Sequence, residues 1–271
     1  MSDYLSELNS RIEAAKAAVL AETGLLHREF GRAESRWKSD GTRVTAIDIA
    51  ISENIFRGLR AQFPEDQMFS EELPEGAGPI ALTSRFSWVL DPIDGTNNFA
   101  LGIPYCAIAL ALMENGNPVY GVIYDFSRRV LIHGGPGFGV HDGDRTARVT
   151  SDLPNTEMLI GMHSPNDKTR VPALDAVLRN FKIRGLGSAA LHLAYVAIGL
   201  FGGAVDFNVK IWDLAAAIPL CLAAGGEVRF LNGEQLPVRS FNLKMGPIAY
   251  VAGSPPVAAR LYELLGPPEK P

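Results

Sequence analysis

The sequence predicts a mixed α/β (α+β) protein in which helices cover sheets. Three observations lead to this prediction: two amphipathic helical patterns near the N-terminus, a central run of short strands separated by turn residues, and alternating strands and helices after about residue 151. The chain has 271 residues and can therefore bury most of the surface that its unfolded form exposes. We expect an N-terminal α+β part over residues 1–150 and a C-terminal α/β part over residues 151–271, packed as one unit.

Two helices open the N-terminal part. Apolar residues at spacings of three and four between residues 5 and 19 predict a first helix that ends near Gly31. An apolar residue recurs at every fourth position between residues 47 and 59. This second repeat predicts a helix that stops at Phe63-Pro64. The Pro-, Gly- and acid-rich segment over residues 65–84 predicts a loop around a short extended piece.

Short strands fill the middle of the chain. They are predicted over residues 87–90, 105–113, 119–124, 129–133 and 138–140. Pro92 should end the first of them, because proline cannot continue a sheet ladder. The turn residues between the others favour a largely antiparallel sheet. The glycine-rich run at residues 134–139 lacks the lysine, the Ser/Thr and the following helix of a phosphate-binding loop, so we interpret it as a strand connection.

The C-terminal part alternates strands with helices, which indicates a second α/β layer. Strands are predicted over residues 158–161, 204–207, 228–231 and 248–252, and helices over residues 172–181, 189–200, 213–224 and 257–265. Pro219 should bend the helix over residues 213–224, since its ring clashes with the preceding turn.

Composition excludes several classes of function. The net charge of −5 argues against a nucleic-acid polymer as partner but allows a small anionic substrate held by metal ions. The N-terminus has no signal-peptide pattern, and no apolar run approaches the ~20 residues of a membrane span. Cys106 and Cys221 lie in apolar runs and should be buried thiols, so a cytoplasmic location is expected.

Two aspartates, Asp91 and Asp94, share a tight turn at the carboxyl end of the strand over residues 87–90. In a half-buried position their repulsion is costly unless a cation lies between them or one stays protonated. A divalent metal resolves this most simply. Gly95 lets the backbone approach a ligand closely, and Thr96 adds a hydroxyl to the same turn.

Other acids stand out on separate segments: Asp48, the pair Glu71-Glu72, and Asp213 after Trp212. Each has a structural explanation by itself, since Asp48 suits a helix dipole, Asp213 suits a helix N-cap, and two glutamates suit a solvated loop. Together with the Asp91–Thr96 turn, however, they form the oxygen donor set that Mg²⁺ prefers.

Five motifs carry a resemblance to a known family. They are residues 44–48 (VTAID), 70–72 (SEE), 91–99 (DPIDGTNNF), 185–190 (GLGSAA) and 212–216 (WDLAA). They resemble those of the inositol monophosphatase family, Mg²⁺-dependent and lithium-sensitive phosphomonoesterases. Asn97 stands where the family usually has a second threonine. The resemblance implies a layered α/β/α/β/α sandwich of the inositol monophosphatase and fructose-1,6-bisphosphatase type, and a homodimer.

The resemblance also assigns roles to the acids. Glu71, Asp91 and the main-chain carbonyl of Ile93 correspond to ligands of the first metal. Asp91, Asp94 and Asp213 correspond to the set that holds the second, and two or three Mg²⁺ ions are expected. Register with the family's Gly-Glu-Glu selects Glu71, with Glu72 as the alternative.

Catalysis and substrate binding are assigned in the same way. Thr96 and Asp48 resemble the pair that orients and deprotonates the attacking, metal-activated water, and Glu71 joins them as a catalytic residue. Substrate contacts are expected from Asp94, Gly95, Thr96, Gly187, Ser188, Ala189 and Asp206. Asp206 lies where the family usually has a glutamate. If residues are deleted between Asp206 and Trp212, Asn208 or Lys210 faces the substrate instead.

The resulting hypothesis is hydrolysis of a small phosphorylated metabolite similar to inositol 1-phosphate. Alternatives with the same chemistry are histidinol phosphate, fructose 1,6-bisphosphate and 3′-phosphoadenosine 5′-phosphate. A catalytically silent phosphometabolite-binding protein is the alternative from another class, because a fold alone never guarantees activity.

Overall fold

A computed structural model describes residues 2–38, 41–73, 78–163 and 171–265, and it contains two large sheets with helices between and outside them. The helices of the described residues are α1 (Ser2–Glu29), α2 (Ala46–Gln62), α3 (Thr96–Leu101), α4 (Val171–Asn180), α5 (Ala189–Ala197), α6 (Ile211–Leu214), α7 (Ala217–Ala223) and α8 (Pro255–Leu265).

The N-terminal strands are β1 (Ser35–Trp37), β2 (Arg43–Thr45), β3 (Gln67–Ser70), β4 (Ile80–Ala81), β5 (Phe86–Asp94), β6 (Ala107–Glu114), β7 (Asn117–Asp125), β8 (Val130–Gly135), β9 (Gly139–Asp142) and β10 (Arg145–Thr146). The C-terminal strands are β11 (Leu159–Met162), β12 (Lys182–Arg184), β13 (Gly203–Val209), β14 (Glu227–Phe230), β15 (Ser240–Phe241) and β16 (Ile248–Gly253).

The first sheet has seven strands in the order β10-β9-β8-β7-β6-β5-β3. Its neighbours are antiparallel except β3 and β5, which run parallel. Successive side chains of a strand face opposite sides, so Trp88 and Leu90 of β5 pack under α1 and α2 while Val89 faces the molecule's centre. The predicted antiparallel middle of the chain is therefore confirmed.

The second sheet has five strands in the order β12-β11-β13-β16-β14. Strand β11 lies parallel to both of its neighbours, whereas β16 lies antiparallel to β13 and β14. Helices α4 and α8 cover its outer face, where Val177 and Leu261 pack against Ile160 and Val251.

Helices α5, α6 and α7 form the layer between the two sheets. Small residues allow this close approach: a Cβ at Gly121 of β7 would lie 1.7 Å from the main-chain oxygen of Ala216. Side chains from both halves of the chain share this central core. The layers follow the order α/β/α/β/α, which confirms the predicted sandwich.

Pro92 does not end its strand, so that prediction is wrong. Strand β5 continues to Asp94, and its register against β6 shifts between Asp91 and Asp94. The shift takes Pro92, which has no N–H to donate, out of the regular ladder. The motif that contains Asp91 and Asp94 therefore lies on an irregular strand end that stays paired to the sheet.

The single helix predicted over residues 213–224 is two helices, α6 and α7, separated at Ala215 and Ala216. Pro219 causes the interruption, because the N–H that it lacks would have bonded to the carbonyl of Ala215. Pro219 then occupies the first turn of α7, where proline is tolerated. The predicted disturbance is correct, but it falls one turn earlier than expected.

Other expectations agree with the structure. The glycine-rich run joins β8 to β9 as a strand connection, and both cysteines are buried free thiols. Among the described helices, none combines the length and the apolar character that crossing a membrane requires. The sequence missed the shortest strands, which have too few residues for an alternating pattern: β1, β2, β4, β10, β12 and β15.

Candidate active site

Three carboxylates converge at one edge of the first sheet. Because β3 and β5 are parallel, Glu71 follows the end of β3 beside β5, and its N–H donates to the carbonyl of Leu90 at 3.3 Å. Asp91 lies on β5, and Asp213 reaches the same point from α6. Oxygen atoms of Glu71, Asp91 and Asp213 all lie within 4.8 Å of one another.

Burial and mutual repulsion shift the pKa values of these acids upward. Asp91 is only 2 % exposed, and burial, followed by the charges of Glu71, Asp94 and Asp213, raises its pKa well above the ordinary range. The pKa of Asp213 rises for the same reasons, although its carboxylate accepts the N–H of Lys210 at 2.6 Å. Burial raises the pKa of Glu71 to about 7. Buried oxygen donors with this repulsion suit a hard divalent cation such as Mg²⁺.

Asp94 connects this edge to helix α5. One carboxylate oxygen accepts the Ser188 hydroxyl and the Ala190 N–H, both at 2.6 Å, and the other accepts the Ala189 N–H at 3.3 Å. Burial raises the pKa of Asp94, and these hydrogen bonds oppose that rise. The carboxylate is therefore held at the N-terminus of α5, where a negative charge is favoured.

Thr96 and Asp48 form a hydrogen-bonded pair beside the acid cluster. The Thr96 hydroxyl lies 2.9 Å from Asp48 Oδ1 and 2.9 Å from the carbonyl oxygen of Ile93. Asp48 Oδ2 accepts the Thr45 N–H and hydroxyl at 2.7 and 2.6 Å, which completes a capping box at the start of α2. Burial raises the pKa of Asp48 to about 6, against the opposing bonds from Thr45.

The position directly before Thr96, Gly95, has no room for a side chain. Gly95 has φ of +90°, and a Cβ there would lie 2.8 Å from the Tyr105 carbonyl oxygen and 3.0 Å from that of Gly187. The Asn98 side chain donates to the carbonyls of Tyr105 and Leu186 at 2.8 and 2.7 Å. The Asp91–Thr96 turn and the loop over residues 186–190 thus form one continuous wall.

Lys38 lies against the acid cluster, and sequence reasoning did not identify it. Its ammonium donates to Glu71 at 2.8 Å and to Glu72 at 2.7 Å. Glu72 is therefore paired with a lysine, whereas Glu71 also lies beside Asp91 and Asp213, which supports Glu71 as the metal ligand. The available signal was a lysine six residues before the VTAID motif.

Asp206 is buried and engaged by the protein. One oxygen accepts the His163 Nδ1–H at 2.7 Å, and the other accepts the N–H groups of Phe207 and Asn208 at 2.8 and 3.1 Å. The Lys210 ammonium donates to the Met245 carbonyl at 2.6 Å. Sequence reasoning missed His163, although a histidine two residues after a predicted strand was a usable signal.

Comparison with known proteins agrees with this geometry. The model of the inositol monophosphatase family matches residues 5–265. The chain belongs to the inositol monophosphatase family. It is therefore a phosphoric monoester hydrolase that acts on small phosphorylated substrates.

Individual family members match most of the chain. The probable inositol 1-monophosphatase ImpA of Mycobacterium tuberculosis is 32% identical, over 97% of each chain. The Nus factor SuhB of Xylella fastidiosa is 32% identical over 85% of this chain and 84% of its own. The crystal structure of the extragenic suppressor protein suhB of Bartonella henselae is similar with a TM-score of 0.82 and 30% identity, over 93% of this chain and 97% of its own.

Proposed function

We propose that this protein hydrolyses a phosphate monoester of the inositol 1-phosphate type to the alcohol and inorganic phosphate in a Mg²⁺-dependent reaction. The observation that carries the proposal is the convergence of Glu71, Asp91 and Asp213, whose buried carboxylates repel one another. Such a cluster is stabilised by a bound cation, and its oxygen atoms are Mg²⁺ ligands.

Glu71, Asp91 and the Ile93 carbonyl would hold one metal, and Asp91, Asp94 and Asp213 a second, with two or three ions in all. The closeness of Glu71, Asp91 and Asp213 supports Asp91 as the ligand shared by the two positions. When bound, Mg²⁺ supplies Lewis-acid chemistry, because it acidifies water and offsets the negative charge of the phosphate group.

Thr96 and Asp48 orient the attacking water and accept its proton. The hydroxyl of Thr96 can accept from water while it donates to Asp48 Oδ1, 2.9 Å away. With a pKa of about 6, Asp48 is mostly a carboxylate at neutral pH yet basic enough to take up a proton. Glu71 would contribute to catalysis with them as a carboxylate that holds the metal. Water then forms the new bond to phosphorus as the ester P–O bond breaks, and the leaving oxygen takes up a proton from solvent to give the alcohol.

The wall formed by the two loops would bind both the phosphate group and the alcohol part of the substrate. The N–H groups of Gly95 and Thr96, with Asp94 beside them, would hold phosphate oxygens, and Gly187, Ser188 and Ala189 would line the alcohol side. The contact between Gly95 and the Gly187 carbonyl supports this, because it places the two loops edge to edge. Main-chain groups of this kind accept more than one alcohol.

A substrate panel tests the proposal. Phosphate release is measured from inositol 1-phosphate, histidinol phosphate, fructose 1,6-bisphosphate and 3′-phosphoadenosine 5′-phosphate, with saturating Mg²⁺ and with EDTA. We expect the highest kcat/KM for inositol 1-phosphate, no release in EDTA, and almost none from Asp94→Asn. Asp175→Asn, on the exposed face of α4, is the matched control. Full activity in EDTA refutes the metal dependence. If another ester of the panel has a higher kcat/KM, that ester replaces inositol 1-phosphate as the proposed substrate.

We further propose a cytoplasmic, lithium-sensitive homodimer. The family resemblance supports the dimer and the lithium sensitivity. The two buried free thiols support a reducing compartment.

A further inference from the structure

Two buried serines join helix α2 to the end of strand β3. The Ser52 hydroxyl donates to the Ser70 hydroxyl oxygen at 2.9 Å, and the two residues are only 6 % and 2 % exposed. Loss of either hydroxyl would leave the other without this partner in a buried position, which is costly. The bond therefore holds the helix and the strand together at one defined point.

Each serine lies next to a residue of the candidate active site. Ser52 follows Asp48 by one turn of α2, so the two side chains share the buried face of that helix. Ser70 is the last residue of β3 and directly precedes Glu71. The bond between the hydroxyls thus connects the helix that carries Asp48 with the strand that leads to Glu71.

Ser70 also holds the turn in which Glu71 lies. Its hydroxyl oxygen accepts the Glu72 N–H at 3.1 Å, and its carbonyl oxygen accepts the Leu73 N–H at 3.3 Å. A bond from a serine hydroxyl to the N–H two residues ahead fixes a tight turn. The Glu71 N–H itself donates to the Leu90 carbonyl, so the main chain is held by hydrogen bonds at Glu71 and at the two residues after it.

Much of the packing of α2 on the first sheet is apolar. Ile51 and Ile55 of α2 belong to the same core cluster as Trp88 and Leu90 of β5. Apolar burial is non-directional, whereas a hydrogen bond requires a defined distance and angle. The serine pair therefore adds a directional constraint to the position of α2 relative to β3.

We propose that Ser52 and Ser70 are positioning residues, which keep Asp48 and Glu71 in the relative placement that activation of the water requires. The inference rests on the proposed function, in which Asp48 accepts the proton of the water and Glu71 holds the metal. The family's Gly-Glu-Glu has no hydroxyl at the position of Ser70, so the serine pair is separate from that motif. A misplacement of about 1 Å can lower a rate about 100-fold, so even a small shift of α2 reaches the chemistry.

Three variants test this role: Ser52→Ala, Ser70→Ala and the double substitution. Alanine is a better helix former than serine, so Ser52→Ala removes the hydroxyl without weakening α2. For each variant, kcat and KM are measured at saturating Mg²⁺ with the panel ester that the wild type hydrolyses best. Calorimetry gives the Kd of Mg²⁺ alone, and chemical denaturation in EDTA gives the free energy of unfolding.

Tyr120→Phe is the matched control, because it also removes one hydroxyl bond of a buried residue on the α1/α2 side of the sheet. Tyr120 is 4 % exposed, its hydroxyl bonds to the His133 ring at 2.8 Å, and it lies on β7, two strands from β5. This variant should lose stability to a similar extent. Its kcat, its KM and its Kd for Mg²⁺ should stay within about twofold of the wild type.

We expect Ser52→Ala to lower kcat about tenfold and to leave KM within about twofold, because Asp48 moves while the substrate contacts stay. Its Kd for Mg²⁺ should also change less than about twofold, since the turn at Glu71 keeps its own bonds. Ser70→Ala should lower kcat equally and, because it also loses the bond to the Glu72 N–H, raise the Kd of Mg²⁺ about fivefold. The double variant should match Ser70→Ala in kcat, because both single substitutions break the same bond.

A kcat of Ser52→Ala within about twofold of the wild type overturns the inference, and this variant decides the matter even if Ser70→Ala does not fold. Losses of kcat that multiply in the double variant also overturn it, because they show that the serines act independently. A lower free energy of unfolding with unchanged kcat and Kd, as in Tyr120→Phe, would assign the pair a purely structural role and overturn it too.

These results leave the proposed function standing, because the wild type still hydrolyses the ester. Absence of Mg²⁺-dependent hydrolysis of every panel ester by the wild type refutes the proposed function, and the inference with it.

Discussion

Two buried aspartates at strand β5 have opposite surroundings: Asp66 bonds to a side chain of the strand, and Asp91 belongs to it. Asp66 accepts hydrogen bonds from Arg11 at 2.9 and 2.8 Å and from the Trp88 indole N–H at 3.0 Å. Trp88 lies on β5, three residues before Asp91. Asp66 therefore has a full charge partner and donors on both oxygens, supplied by the protein itself.

Asp91 has no such partner among the described residues. Its one hydrogen bond there comes from the Ile93 N–H at 3.1 Å, and its charged neighbours are Glu71, Asp94, Asp213 and Asp48. A buried acid with a cationic partner stabilises the fold, whereas a buried acid among other acids must either stay protonated or bind a cation. The comparison separates a structural aspartate, which contacts β5 through Trp88, from an aspartate of β5 for which we propose a function.

The largest expected effect comes from a substitution in the acid cluster around Asp91. Asp91→Asn removes an oxygen charge shared by both proposed metal positions, so kcat/KM should fall at least about 10³-fold. The melting temperature of the metal-free protein should not fall, because the substitution also removes repulsion inside the cluster. Steady-state kinetics and a thermal melt in EDTA check the two expectations. Near-normal activity of Asp91→Asn would contradict the assignment of Asp91 as a shared ligand.

The same substitution at the structural aspartate should give the reverse result. Asp66→Asn leaves the partly buried guanidinium of Arg11 without its anion, and we expect a loss of about 3 kcal/mol in the free energy of unfolding. The kcat of the folded protein should stay within about twofold of the wild type, because Arg11, Asp66 and Trp88 belong to the α1/α2 side of the sheet. Chemical denaturation and activity measured below the transition test this. A stable but inactive Asp66→Asn protein would show that Asp66 serves activity and not stability, which contradicts the comparison.

A smaller effect concerns pH. The folded state raises the pKa of Asp48 from 3.8 to about 6 and that of Glu71 from 4.5 to about 7. Raised values favour the protonated acid in the fold, so this stabilisation is complete below about pH 4 and lost as the pH rises through 6 and 7. Mg²⁺ competes with these protons, and we expect it to bind more tightly at the higher pH.

The increase in melting temperature on adding Mg²⁺ should accordingly be about 3 °C or more larger at pH 8 than at pH 5. Asp66→Asn should keep this pH dependence, and Asp91→Asn should lose much of it. An increase of the same size at both pH values would show that protons and Mg²⁺ do not compete for this cluster.

The sequence predicted the parts of the site whose chemistry is local. Asp91, Asp94 and Thr96 lie within six residues, so their crowding and the cation that it implies follow from the motif itself. Asp48 and Asp213 each had an adequate structural explanation, and their chemistry as oxygen donors and the family resemblance joined them to that turn. In the structure the two roles do not compete, since one oxygen of Asp48 serves the helix cap and the other accepts the Thr96 hydroxyl.

What the sequence did not predict depends on pairing between distant segments. The contact of His163 with Asp206 arises only because β11 and β13 lie in parallel register, which no local pattern specifies. Lys38 meets Glu71 across the fold for a similar reason. Pro92 was expected to end its strand and Pro219 to bend its helix, each at its own position. The structure instead places the missing hydrogen bond of Pro92 at a register shift and that of Pro219 at the preceding turn.

The position of Asp94 has a consequence for observing the site in solution. Its carboxylate lies 2.6 Å from the amide nitrogen of Ala190, on an element that belongs to the middle layer of the molecule. The resonance frequency of that amide proton depends on the charge of the oxygen it bonds to. Ala190 is thus a built-in reporter whose spectrum follows the ionisation and the occupancy of a site that it does not itself enter.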